Sequence, residues 1–237
     1  MSSLPPARRI ERWSLVNAVG MLLATAVAGG LRSPWPLLGA GGVLLTGLIV
    51  VARRGWTPQG PFGWANGVTV LRGGLLAGLP PAADLGVVPV IGLCLLFLGA
   101  DGLDGWLARR ADQTSEFGAF LDKETDALFL LLLCAVAAFQ NRLPVWVIGA
   151  GLLRYVFVTV VFLLDPPRKT EERSNLARYL YGGMVGALLL SFLPYPAVYR
   201  PLVILAAGTL AVSFGRSLWW IVPRGQAFGE TDGRGDA

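Results

Sequence analysis

The chain of 237 residues contains no histidine. Imidazole is thereby excluded as general base and as metal ligand. Any base must be a carboxylate or, failing that, a Tyr, Lys or Cys side chain. Cysteine is limited to Cys94 and Cys134, both within apolar runs, which argues against a disulfide framework or a thiolate metal site. Charge is also scarce. Only 15% of residues are Asp, Glu, Lys or Arg, against about 25% in soluble domains. The sequence therefore does not describe an ordinary soluble domain. Its net charge of +5 needs no nucleic acid partner, because basic residues in short loops beside a membrane account for it.

What the chain does have is apolar length. Hydrophobic residues make up 54% of it, and the mean hydropathy is +0.59. The apolar runs are long and unbroken rather than short and alternating, which argues against a membrane β-barrel and predicts a mostly helical membrane protein. The expected fold is all-α: a polytopic membrane bundle with a two-helix N-terminal hairpin ahead of a six-helix core. Eight segments are predicted, at about 15–31, 36–51, 64–79, 85 into the stretch 101–104, 117–139, 145–164, 179–193 and 202–222. Pro80-Pro81 is expected to end the third, and Pro166-Pro167 the sixth. The domain boundaries follow: hairpin and linker 1–62, core 63–223, and a polar Gly-rich tail 224–237, expected to be flexible. Arg8, Arg9 and Arg12 ahead of the first run could suggest a signal peptide. With no persuasive small-residue cleavage site and a second span close behind, a retained anchor is expected instead.

Charge predicts the orientation. With the N-terminus in the cytoplasm, nearly all Arg and Lys residues fall on that side, and Arg32, Arg142 and Arg200 are the exceptions. Eight spans return the C-terminus to the same side. The expected location is the cell (inner) membrane, with both termini and the polar cluster below facing the cytoplasm.

That cluster is the chemical feature of the chain. Asp101 and Asp104 are three residues apart, and Asp122 and Asp126 are four apart, so each pair shares one face of a helix. The two helices are consecutive and antiparallel, so the four carboxylates can converge. Carboxylates in an apolar segment are costly and point to function. Four together repel unless cations neutralise them, and an oxygen-only donor set suits Mg²⁺ or Mn²⁺, with room for two ions clamping a diphosphate. Gly105 and Gly118 would leave bare backbone for a ligand to approach. Arg72 and Arg109 can add charge to phosphate oxygens. Asp112, Glu116 and Glu124 read as simply solvated side chains.

Asp101, Asp104, Gly105, Ala108, Arg109, Gly118, Asp122 and Asp126 fill every fixed position of D-x-x-D-G-x-x-A-R, eight residues, G-x-x-x-D-x-x-x-D. This pattern resembles the signature of the CDP-alcohol phosphotransferase family. Asn66-x-x-Thr69-x-x-Arg72 looks like the polar signature on that family's first core helix, with Ala65 where many members have Pro. The resemblance covers about residues 64–222 and leaves the first two spans outside. It implies displacement of CMP from a CDP-linked donor, usually CDP-diacylglycerol, by an acceptor hydroxyl. It also implies that Asp101, Asp104 and Asp122 are principal metal ligands and that Asp126 is the general base and a further metal contact. Asn66, Thr69, Gly105, Ala108, Arg109 and Gly118 would line the CDP pocket, with Arg72 reaching the phosphates. A homodimer is plausible on the same basis.

The acceptor is less legible. Arg154 lies inside the sixth span, and Arg168, Lys169, Arg173 and Arg178 follow it. Arg154, Arg173 and Arg178 could form a basic pocket for a phosphorylated acceptor such as glycerol 3-phosphate or inositol phosphate. The competing explanation is the positive-inside bias plus contact with anionic membrane lipids. Two other functions use similar carboxylates. A membrane prenyltransferase would release pyrophosphate instead of CMP. A divalent-cation transporter would need acids near mid-membrane, whereas these cluster at one face.

Overall fold

The computed structural model describes residues 6–53, 55–58, 60–110, 114–164 and 175–221. The tail 224–237 and Arg168, Lys169 and Arg173 lie outside the described residues. Within them the chain forms nine α-helices: α1 (Pro6–Leu31), α2 (Trp35–Val51), α3 (Trp64–Leu75), α4 (Leu79–Leu85), α5 (Val87–Arg110), α6 (Glu116–Phe139), α7 (Val147–Leu164), α8 (Asn175–Leu190) and α9 (Pro196–Ile221). No strand occurs among the described residues. The all-α expectation holds, and every predicted apolar segment is helical.

The third segment differs from its prediction. Pro80-Pro81 does not end the helical path. A short 3₁₀ turn, Leu76–Gly78, links α3 to α4, and proline stands in the first positions of α4. Proline is tolerated there because the first N–H groups of a helix have no intrahelical partner. The reversal comes instead at Gly86, whose φ of 126° is open to glycine but strained for other residues.

α6 is the axis of the molecule. All its residues from 127 to 138 are buried, as expected of a helix that is apolar all round. The other elements pack around it. α3 lies against α5 and α6, α7 lies against α6 and α9, and α8 lies against α9. The N-terminal hairpin is not peripheral. α1 packs on α2 and α7, α2 packs on α6, and Ala18, Met21, Ala24, Ala28 and Leu37 belong to the same hydrophobic cluster as α6.

α1, α7 and α9 contain stretches long and apolar enough to cross a membrane, at Arg12–Leu31, Val147–Leu164 and Pro196–Trp219. α2, α5 and α8 contain shorter apolar stretches. The protein is an integral membrane protein of helical-bundle type. At the end of the bundle away from Asp126, Arg32 donates to Asn141 (3.3 Å) and Arg142 donates to the Phe192 carbonyl (3.0 Å). Two of the three arginines expected on the far side therefore share one end of the bundle.

Close helix contact makes one position sensitive. A Cβ on Gly151 of α7 would lie 2.7 Å from the Leu131 Cα of α6, so backbone itself would have to move. Gly151→Ala is expected to destabilise the protein by about 1–3 kcal/mol. Gly186→Ala, where a Cβ meets nothing within 4 Å, is expected to melt at or above the wild-type temperature. Thermal unfolding in detergent compares the two.

Candidate active site

Three helices deliver the polar cluster. The start of α6 is fixed first. Ser115 caps it, accepting from the Gly118 N–H (3.0 Å) while its own hydroxyl donates to the Trp56 carbonyl (2.7 Å). Such a cap supplies one of the helix's unmet N–H groups with an acceptor. The Asn66 side-chain amide donates to the carbonyls of Trp56 (3.2 Å) and Phe62 (2.5 Å). The linker between α2 and α3 is thereby tied to both α3 and α6. A Cβ on Gly118 would fall 2.8 Å from Asn66 Oδ1 and 3.2 Å from Ser115 Oγ. The bare backbone expected to face a ligand faces Asn66 instead, so this glycine permits close approach of α3 and α6.

Asn66, Thr69 and Arg72 recur at three-residue steps along one buried face of α3. Thr69 donates back to the Ala65 carbonyl (3.2 Å). Arg72 has no exposed side-chain surface, and its guanidinium lies 3.0 Å from Asp101, 2.7 Å from Asp122 and 2.6 Å from Asp126. The Phe97 ring lies under it, 4.5 Å from its central carbon, an arrangement that favours a cation. Arg72 was expected to reach substrate phosphates. The structure puts it at the centre of the aspartates, where it bridges α3, α5 and α6.

Three of the four carboxylates converge. Asp101, Asp122 and Asp126 each offer an oxygen within 4.8 Å of the others. They are 28–37% exposed, so solvent or a ligand can reach them. A hard divalent cation binds oxygens at about 2.1 Å, placing them within roughly 4.2 Å of one another, close to the size of this group. Three carboxylates against one guanidinium leave two negative charges, which one such ion offsets. The donor set therefore fits Mg²⁺ or Mn²⁺. Asp104, Gly105, Ala108 and Arg109 lie on α5, but their side chains fall outside the described residues.

Asp126 is also held from behind, because the Tyr181 hydroxyl of α8 donates to its backbone carbonyl (3.1 Å). Tyr181 was missed from the sequence. A tyrosine within an apolar stretch needs a partner for its hydroxyl, and that was the available signal.

Glu124 is a correction. It was read as solvated, yet it is 3% exposed. It accepts from Asn17 (2.6 Å) and Ser14 (3.4 Å) of α1 and from Arg154 (2.5 Å) of α7. A buried carboxylate needs such partners. Arg154, expected in an acceptor pocket, is thus already engaged with Glu124. Arg178 is exposed on α8, and Arg173 lies outside the described residues.

Three carboxylates and a buried arginine thus meet where α3, α5 and α6 come together, and an oxygen donor set of this kind suits a divalent cation. Comparison with known proteins makes this specific. The CDP-alcohol phosphatidyltransferase family model matches residues 62–215, and the chain belongs to that family. It is similar to a Drosophila melanogaster protein named "Probable cardiolipin synthase (CMP-forming)", with 37% identity over 91 residues. That match spans 35% of this chain and 28% of the relative's length. No solved structure matches.

Proposed function

We propose that the protein transfers a phosphatidyl group from CDP-diacylglycerol to an acceptor hydroxyl and releases CMP. The observation carrying this reading is the convergence of Asp101, Asp122 and Asp126 on Arg72 in a chain of this family. Asp101, Asp122 and Asp126, with Asp104 one turn from Asp101, would hold one or two divalent ions. Bound there, the ions would neutralise the diphosphate and stabilise CMP as leaving group. Asp126 takes the proton of the acceptor hydroxyl. The hydroxyl oxygen then attacks the phosphorus that bears the diacylglycerol, and the phosphoanhydride bond to CMP breaks. Arg72 keeps the carboxylates apart and in place. The helical turn Gly105–Arg109 of α5 is where the cytidine half of the donor would be read, while Asn66, Thr69 and Gly118 support it from behind by holding α3 against α6. The site faces the cytoplasm of the cell membrane, so a lipid donor reaches it from the bilayer.

For the acceptor, two observations favour a lipid-borne hydroxyl. The Drosophila relative is named as a cardiolipin synthase, which implies a phosphatidylglycerol acceptor. Arg154 is also committed to Glu124, which weakens the basic pocket for glycerol 3-phosphate or inositol phosphate. Purified protein with Mn²⁺ and CDP-diacylglycerol should release CMP fastest with phosphatidylglycerol. Faster release with glycerol 3-phosphate or inositol phosphate would overturn the acceptor assignment and restore the basic pocket. Pyrophosphate release from an isoprenoid diphosphate would favour prenyl transfer instead.

A further inference from the structure

The N-terminal hairpin lies outside the residues that define the family, 62–215, yet it grips the helix that carries two of the aspartates. At about 100° per residue, Glu124 points roughly 180° away from the mean direction of Asp122 and Asp126. One face of α6 therefore presents the aspartates to α3 and α5. The opposite face is held by the hairpin at successive levels. Phe117 and Leu121 pack with Ile10, Leu48 and Ala52. Glu124 accepts from Ser14 and Asn17. Leu128 fills the space beside Gly41, where a Cβ would lie 2.5 Å from it.

The hairpin is itself braced. Trp13 donates to the Leu44 carbonyl (3.1 Å), and its indole occupies the space next to Gly47. Arg154 completes the clamp by tying Glu124 to α7.

We infer that α1, through Asn17 and Ser14 acting on Glu124, sets the rotation of α6 and so positions Asp122 and Asp126 against Asp101 and Arg72. Asn17, Ser14, Glu124 and Arg154 are positioning residues in this scheme. Apolar packing alone fixes the distance between helices but leaves rotation about the helix axis loosely specified. A directional hydrogen-bonded carboxylate supplies that specification. A small rotation of α6 would move both aspartates together relative to the ligands on α5.

This inference rests on the proposed metal-dependent site but not on the identity of the acceptor. The test is Mn²⁺ binding by the full-length protein in detergent, measured without substrate, alongside thermal unfolding and the kcat and KM of CMP release. Asn17→Ala and Glu124→Gln are expected to weaken Mn²⁺ binding about 10-fold, the usual effect of losing support behind a ligand. They should lower kcat similarly and leave the donor KM near wild type. Asn17→Asp, which sets a second carboxylate against Glu124, should be worse than Asn17→Ala, and Asn17→Gln should recover part of the loss. Wild-type Mn²⁺ affinity in folded Asn17→Ala and Glu124→Gln proteins would overturn the inference, as would losses no larger than the unfolded fraction. Failure of the wild-type protein to bind Mn²⁺ would instead count against the proposed metal site itself.

Discussion

Asp126→Asn is expected to lower CMP release by about 10²–10⁴-fold, the usual contribution of a positioned general base. The amide is close in shape to the carboxylate and can still accept from Arg72, which lies 2.6 Å away. The Tyr181 bond goes to the Asp126 backbone carbonyl and does not depend on the side chain. Folding should therefore survive while proton acceptance is lost. CMP release with CDP-diacylglycerol and a panel of hydroxyl acceptors measures the rate, and thermal unfolding reports the fold. A folded Asp126→Asn protein with near-normal turnover would remove Asp126 from the role of base.

Arg72→Met should have a different signature. The substitution removes the cation lying within 3.0 Å of all three aspartates, in a site where the arginine has no exposed surface. Removing one partner of a fully buried ion pair costs about 3–5 kcal/mol, and water reaching the 28–37% exposed aspartates offsets part of that cost here. Here three carboxylates with oxygens within 4.8 Å of one another are left behind. In EDTA the variant should unfold well below the wild-type temperature. Added Mn²⁺ should restore more stability to the variant than it gives the wild type, since the ion replaces the missing positive charge. CMP release should remain severely reduced, because an ion drawn into the place of the guanidinium is not held for the diphosphate. Equal melting temperatures for variant and wild type in EDTA would contradict the placement of Arg72.

The two substitutions separate chemistry from architecture. In the proposed mechanism Asp126 acts on the acceptor proton, and its replacement by Asn should cost the bundle little. Arg72 joins α3, α5 and α6 at one point, so its loss is expected to register in stability before any substrate is added. The structure gives the reason the aspartates can coexist at the meeting of apolar helices: the Arg72 guanidinium lies within 3.0 Å of three of them.

Much of this was legible in the sequence because helical spacing is a local property. Asp101 with Asp104, and Asp122 with Asp126, could be assigned to common faces without knowing the fold. Antiparallel connection of consecutive helices then brought the faces together. The apolar runs likewise located the helices; the end of the third was misjudged, and α1, α8 and α9 begin earlier than the runs suggested, at Pro6, Asn175 and Pro196. Proline forbids a helix interior but suits a helix start, and the sequence alone did not tell which of these Pro80-Pro81 occupied.

What was not legible depended on which face meets which neighbour. Arg72 was placed with the phosphates because an arginine beside a diphosphate motif has two candidate anions. Only the packing of α3 against α5 and α6 put it among the carboxylates. Glu124 was misread because two of its partners, Ser14 and Asn17, lie more than a hundred residues away on a hairpin outside the motif, and the third, Arg154, lies on α7. A signal did exist. Ser14 and Asn17 are polar, one turn apart, in an otherwise apolar segment, and such residues call for a partner. Arg154 in the sixth span called for one too, and Glu124 answers both.

The most direct test of the account is the coupling of CMP to lipid product. Full-length protein in detergent, with Mn²⁺, CDP-diacylglycerol and phosphatidylglycerol, should yield CMP and a new phosphodiester-linked lipid in equal amounts. Both should be lost in Asp126→Asn. Absence of CMP with every hydroxyl acceptor tested, from a folded protein that binds Mn²⁺, would contradict it.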